Sequence, residues 1–165
     1  MNIKRILKHL VMTHWRVNRV FPPQTLIAIE KEIKASENAH VGEIRFVVEG
    51  ALDSASLFNG QSARERAIDV FSQLRIWDTE HNNGVLIYLL LADRNVEIIA
   101  DRGIHAKAKS HDWESICRMM ETSFGQKNFE GGVISGIQAV TQHLTKHFPV
   151  VLGGRNELPD KPIVL

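Results

Sequence analysis

Two polar clusters bracket the most apolar stretch of the chain. Glu80, His81, Asn82 and Asn83 precede the run at 85–92, and Asp101, Arg102 and His105 follow the next apolar segment, "VEIIA". Glu, Asp and Asn side chains offer hard oxygen donors, of which Ca²⁺ or Mg²⁺ gathers several. Arg102 and His105 offer donors to a phosphate or carboxylate. If the two apolar segments form a hairpin, the start of one strand lies beside the end of the other and the clusters meet. Glu80 and Asp101 are then the candidate ligands for a divalent cation. Glu80, Asn82, Asn83, Asp101, Arg102 and His105 make up the wider candidate ligand site. A plainer reading stays open beside this one, because Asn-Asn-Gly is good turn chemistry and Asp-Arg-Gly makes an ordinary exposed loop. Sites are nonetheless built on such strand-end loops.

The opposite end of the same hairpin carries Asp93 and Arg94, while Glu49 and Asp53 follow the preceding strand. The carboxyl end of a parallel pair is a common ligand crevice in α/β sheets, although these residues also suit solvated turns. Other chemistries find little support. His143 and His147 stand four apart, but two histidines are too few for a zinc site. Cys117 sits on an apolar helical face, which points to an inert thiol. There is no Gly-rich phosphate loop, nucleophile elbow or HExxH motif.

A further candidate surface lies at the N-terminus. Lys4, Arg5, Lys8, Arg16 and Arg19 all appear before the first acidic residue, Glu30. Ile3, Ile6, Leu7, Leu10 and Val11 recur at helical spacing among them. A basic amphipathic helix with a Trp suits an anionic membrane surface or a protein partner. The alternative, favoured here, is a helix whose apolar face docks on the sheet and whose charges face water.

The elements that position these residues follow from the patterning. A chain of 165 residues with 44% hydrophobic and 24% charged residues suits one ordinary globular domain. A net charge of +1, with basic residues concentrated in one short segment, argues against a nucleic-acid binder. The single cysteine excludes an intramolecular disulfide. No apolar run is long enough to span a membrane, and charged residues interrupt the N-terminal one. The expected location is therefore cytoplasmic, peripheral at the inner face of a membrane.

Residues 3–19 read as one helix and "FPPQ" starts another. "EIRFVVEG" alternates like a strand with one open face. Ser62 and Glu65 form a capping box ahead of the next helix. "VLIYLLLA" is apolar throughout, as a central strand covered on both faces should be. Two helices follow "VEIIA", and the Pro/Gly-punctuated tail is expected to be mobile or laid along the surface. The order α-α-β-α-β-β-α-α predicts a three-layer α/β/α sandwich with a small mixed sheet containing a central β-hairpin.

The stretch "NNGVLIYLLLADRNVEIIADRGI" resembles the signature of the TPM domain family. Asn82, Asn83 and Gly84 match its first turn, Gly103 matches a glycine of its last loop, and "NFEGGVISGI" continues the likeness to about residue 148. The organisation this suggests is a basic amphipathic helix at 1–20, a TPM-like α/β domain at 21–148 and a tail at 149–165. The resemblance implies the α/β/α sandwich and brings proposals of divalent-metal binding and acid-phosphatase activity for family members. The chain departs from the family pattern at Asn82, where an acidic residue is usual, and at "ADRG", where a pair of glycines is usual. Most members carry an export signal and often a C-terminal anchor, and the patterning here leads to the expectation of neither. The leading expectation is a non-catalytic TPM-like binding or accessory module near the membrane. The alternative is a phosphoesterase in which Glu80 and Asp101 hold a divalent cation and Arg102 neutralises phosphate charge.

Overall fold

The computed structural model describes residues 3–108, 110–150 and 156–165. The elements run α1 (Ile3–Leu10), α2 (His14–Val20), α3 (Pro23–Ser36), β1 (Glu43–Glu49), α4 (Ser54–Phe58), α5 (Ala63–Gln73), β2 (Gly84–Leu90), β3 (Asn95–Ala100), α6 (Arg102–His105), α7 (Ser110–Gly125), α8 (Phe129–His147) and β4 (Ile163–Val164). The sheet order is β3-β2-β1-β4. β1 runs parallel to both β2 and β4, and β3 is antiparallel to β2.

The three layers arise from strand alternation. Val85, Ile87 and Leu89 of β2 join one core with Ile29, Ile33, Met120, Phe124 and Ile137 from α3, α7 and α8. Leu86, Tyr88 and Leu90 join a second core with Ala67, Val70 and Phe71 of α5 and Leu57 of α4. All of β2 is buried, as a continuous apolar run requires. The capping box at Ser62 forms as read: its hydroxyl accepts from the Glu65 N–H while the Glu65 carboxylate accepts from the Ser62 N–H.

Four local expectations need correction. First, the N-terminal helix is two helices, because the Thr13 side chain accepts from the Arg16 N–H and so starts α2 afresh. Second, β1 has no open face. All seven of its residues are buried, since Arg66 of α5 and the segment at 157–158 partner the side that its alternation left for water. Third, "ALDSASLFNGQ" contains α4, capped by Asp53, rather than forming only a loop. Fourth, the apolar face of α1 does not dock. Ile3, Leu7 and Leu10 are 66%, 56% and 67% exposed, and Val11 and Trp15 are exposed beside them.

α1 is instead held by its polar edge. His9 is buried and its Nδ1 accepts from the Leu52 N–H at 3.0 Å. Arg5 Nε donates to Asp93 Oδ2 at 2.8 Å, and Ile6 packs against the second core. Residues 156–165 lie along the domain. β4 pairs with β1, the Leu165 N–H donates to Val48 O at 2.9 Å, and the Glu43 carboxylate accepts from the Glu157 and Leu158 N–H groups.

Candidate functional site

The hairpin brings its two polar clusters together. The Asp101 N–H donates to Gly84 O at 2.9 Å and the Gly103 N–H donates to Asn82 O at 3.0 Å. Asn82 takes a left-handed conformation (φ 50°), which Asn tolerates well. The approach is so close that a Cβ on Gly103 would lie 2.6 Å from Asn82 O and 2.7 Å from His81 O. A Cβ on Gly84 would meet the Ile76 carbonyl in the same way. Glycine at both positions is therefore a packing requirement.

Within this end, Asn83 and Asp101 lie inside and the remaining candidates lie outside. Asn83 is 1% exposed; its Nδ2 donates to Val41 O and its N–H to Thr79 Oγ1, but its Oδ1 is buried without a partner. Asp101 is 6% exposed and caps α6 through Oδ1, which accepts from the Arg102 N–H at 2.7 Å, while its Oδ2 is buried without a partner. Glu80 and Arg102 are exposed, and the Glu80 N–H donates to the Glu157 carboxylate at 3.0 Å. His105 turns away into a groove of about 550 Å³ along β3, shared with Trp113, Cys117 and Arg118.

Two buried oxygen acceptors left open at one sheet end fit a hard cation, which takes carboxylate and amide oxygens together. They are only two, and among the described residues no group of three or more His, Cys, Asp or Glu is poised for a metal ion of any kind. Asp101 and Asn83 would hold such an ion, with Glu80 at the surface nearby in sequence. Burial pushes the Cys117 thiol up to about 12, so it is not a thiolate at neutral pH. His143 packs its ring against Trp113 at 5.5 Å.

The opposite end of the sheet is more strongly built than the sequence suggested. Asp93, in the β2–β3 turn, receives Arg5 and has His9 Nε2 3.2 Å from its Oδ1. Glu49 is held by Arg66 through two donors, Nε at 2.9 Å and Nη2 at 2.9 Å, and also accepts from Tyr88 OH at 2.6 Å. Burial and the neighbouring Glu49 carboxylate raise the Tyr88 hydroxyl pKa well above its usual range, so Tyr88 stays a donor. Glu49 is therefore a structural anion. Sequence reasoning missed His9, Arg66 and Tyr88; a His inside an amphipathic helix and a Tyr inside a buried strand were the available signals.

Comparison with known proteins decides the family. The TPM domain family matches residues 17–143. The chain belongs to the TPM domain family. Among solved structures, this TPM domain is similar to the BA42 protein of the psychrophilic bacterium Bizionia argentinensis. Identity is 30% and the TM-score 0.76, over 86% of this chain and 93% of that one. It is also similar to the N-terminal domain of a P. gingivalis protein, at 19% identity and a TM-score of 0.59, over 73% and 76% of the two chains; that likeness is one of fold alone. The comparison with curated proteins gives no match. The matched span begins within α2, so α1 lies outside it.

Proposed function

We propose that this TPM domain is a non-catalytic binding module that seats on an anionic membrane surface, at the inner face, through α1 and α2. The observation that carries the reading is the orientation of α1. At 3.6 residues per turn, Ile3, Leu7 and Leu10 share one stripe, Lys4 lies toward one edge of it, and Arg5, Lys8 and His9 lie on the far side. The fold uses the Arg5–His9 edge for attachment and leaves the apolar stripe in water. A contiguous apolar patch on a soluble surface marks an interaction site. Trp15 of α2 is exposed as well, with the Arg19 guanidinium over its ring at 5.4 Å. Lys4 and Lys8 of α1 and Arg16 and Arg19 of α2 are exposed on the same two helices, and each basic side chain near an anionic leaflet contributes roughly 1 kcal/mol. No described helix is long and apolar enough to cross a membrane, so the proposed contact is peripheral. Trp15 reports on it directly: its fluorescence should shift to the blue on anionic vesicles, and Trp15→Phe should remove that shift. An unshifted spectrum at low salt contradicts the reading.

A second reading, a divalent-cation-dependent phosphoesterase, is favoured by the open oxygens of Asp101 and Asn83. A bound Ca²⁺ or Mg²⁺ would supply Lewis-acid polarisation of a phosphoryl oxygen. Arg102, exposed at the N-terminus of α6, is free to offer its guanidinium to a phosphate group. Metal-dependent turnover of a phosphomonoester, lost in Asp101→Asn with the fold intact, tests it; its absence across metals and pH counts against it.

A further inference from the structure

A cavity of about 660 Å³ opens at the carboxyl ends of the parallel strands, beside the start of α2. Arg16, Arg19, Arg94 and Lys127 line it, with Trp15 at its edge and Glu130 as the single carboxylate. The four cations come from three separate places: α2, the β2–β3 turn and the α7–α8 turn. The side chains of Arg16, Arg94 and Lys127 form no ion pair among the described residues. Glu130 is already engaged, because its carboxylate accepts from Thr25 Oγ1 at 2.6 Å. The cavity therefore carries an excess of positive charge, four cations against the one Glu130 carboxylate. Like charges around one cavity repel one another, and an anion bound among them relieves that repulsion.

Several cations around one concavity suit a small polyvalent anion better than a single carboxylate. A phosphate monoester carries nearly two negative charges at neutral pH and presents three acceptor oxygens. Two or more guanidinium groups can grip it through paired N–H donors, with Lys127 as a point charge. A diester offers one charge and two free oxygens, and fills the same donor set less well. We propose that this cavity binds a phosphate monoester group, presented either on a soluble molecule or as a lipid headgroup. The lipid form rests on the membrane reading above, since Trp15, Arg16 and Arg19 belong to both surfaces. The soluble form does not.

Two measurements on the full chain separate these cases. The first is an NMR titration with glycerol 3-phosphate, following the Arg94 and Lys127 amides and the arginine Nε–H signals. The second is flotation on phosphatidylcholine vesicles carrying phosphatidic acid or phosphatidylglycerol, matched for surface charge. The expected result is a saturable titration at Arg94 and Lys127, weakened about tenfold or more in Arg94→Gln/Lys127→Gln. Both positions have positive φ (52° and 63°), and glutamine replaces one side-chain-bearing residue with another, so the fold should be kept. A preference for phosphatidic acid, also lost in that variant, identifies the lipid headgroup as the source. Saturable soluble binding without that preference identifies a soluble ester. Leu7→Glu/Leu10→Glu should abolish flotation and leave the soluble titration intact, so the membrane reading and the cavity fail independently. Absence of saturable shifts together with equal flotation on both lipids overturns the proposal, as does unchanged binding in Arg94→Gln/Lys127→Gln.

Discussion

Arg5 Nε donates to Asp93 Oδ2 at 2.8 Å, joining the first helix to the turn of the central hairpin across 88 positions of sequence. Both side chains are largely shielded, at 22% and 18% exposure, which makes the pair worth more than a surface ion pair. Asp93 also has His9 Nε2 at 3.2 Å, so one carboxylate serves two residues of the docked edge. Asp93→Ala should loosen α1 and cost about 1–3 kcal/mol, the range for charged hydrogen bonds. Amide exchange measures this: residues 3–10 should lose protection while β1 and β2 keep theirs. Unchanged protection of α1 would show that Ile6 and the His9–Leu52 bond suffice to hold it.

Arg64 and Arg66 stand two positions apart on α5 and differ in role. Arg66 grips the buried Glu49, whereas Arg64 meets Glu97 at 3.2 Å with its own side chain 61% exposed. Removing the partner of a buried charge leaves that charge uncompensated, so Arg66→Ala should cost about 3–5 kcal/mol. Arg64→Ala should cost no more than about 1 kcal/mol. Urea unfolding of the two variants compares them on one scale, and equal midpoints would refute the distinction.

The C-terminal segment should respond to pH through Glu37. Burial, followed by the neighbouring Asp160, raises the Glu37 carboxyl from 4.5 to about 8, and the Asn156 amide donates to both carboxylates. A raised folded-state value means that the native form holds its proton more tightly than the unfolded chain does. The stabilisation is complete below about pH 4.5 and declines as pH rises toward 8. His40 has the opposite sign. Burial lowers it from 6.5 to about 4, so its contribution is present above 6.5 and is lost as pH falls toward 4. Above pH 6.5, where the His40 contribution is complete, protection of the β4 amides should fall toward pH 8 in the native sequence and hold level in Glu37→Gln. An identical pH profile in that variant would remove Glu37 from the account.

At the hairpin's open end, Ca²⁺ or Mg²⁺ should shift the amides of residues 80–84 and 101–105 in a saturable way. Asp101→Asn is the informative variant, because asparagine caps a helix about as well as aspartate but lacks the charge. It should keep α6 and lose the cation response. Silent loops in the native protein would leave Asp101 and Asn83 as helix cap and strand-end support alone.

The middle of the fold was readable because its patterns admit one solution. A wholly apolar strand such as β2 needs cover on both faces, and the Ser62–Glu65 box starts α5 where its side chains predict. β1 was harder to read, since alternation of Ile44, Phe46 and Val48 with Glu43, Arg45 and Glu49 looks the same whether the polar face meets water or buried partners. Those partners are distant in sequence: Arg66, Tyr88 and the N–H groups of Glu157 and Leu158. α1 was misread for a related reason. Periodicity identifies an apolar face, but which face docks depends on where Asp93 and the Leu52 N–H stand. The basic cavity was equally hidden, because Arg16, Arg94 and Lys127 converge only after the sheet forms.

The central claim is that the exposed face of α1 meets an anionic membrane, and vesicle flotation tests it most directly. The native protein and Leu7→Glu/Leu10→Glu should be compared on phosphatidylcholine vesicles with and without phosphatidylglycerol, at low and high salt. The account predicts flotation of the native protein on the anionic vesicles, weakened by salt as screening requires, and none for the folded double variant. Failure of the native protein to float on anionic vesicles at low salt, or equal flotation of the variant, would contradict it.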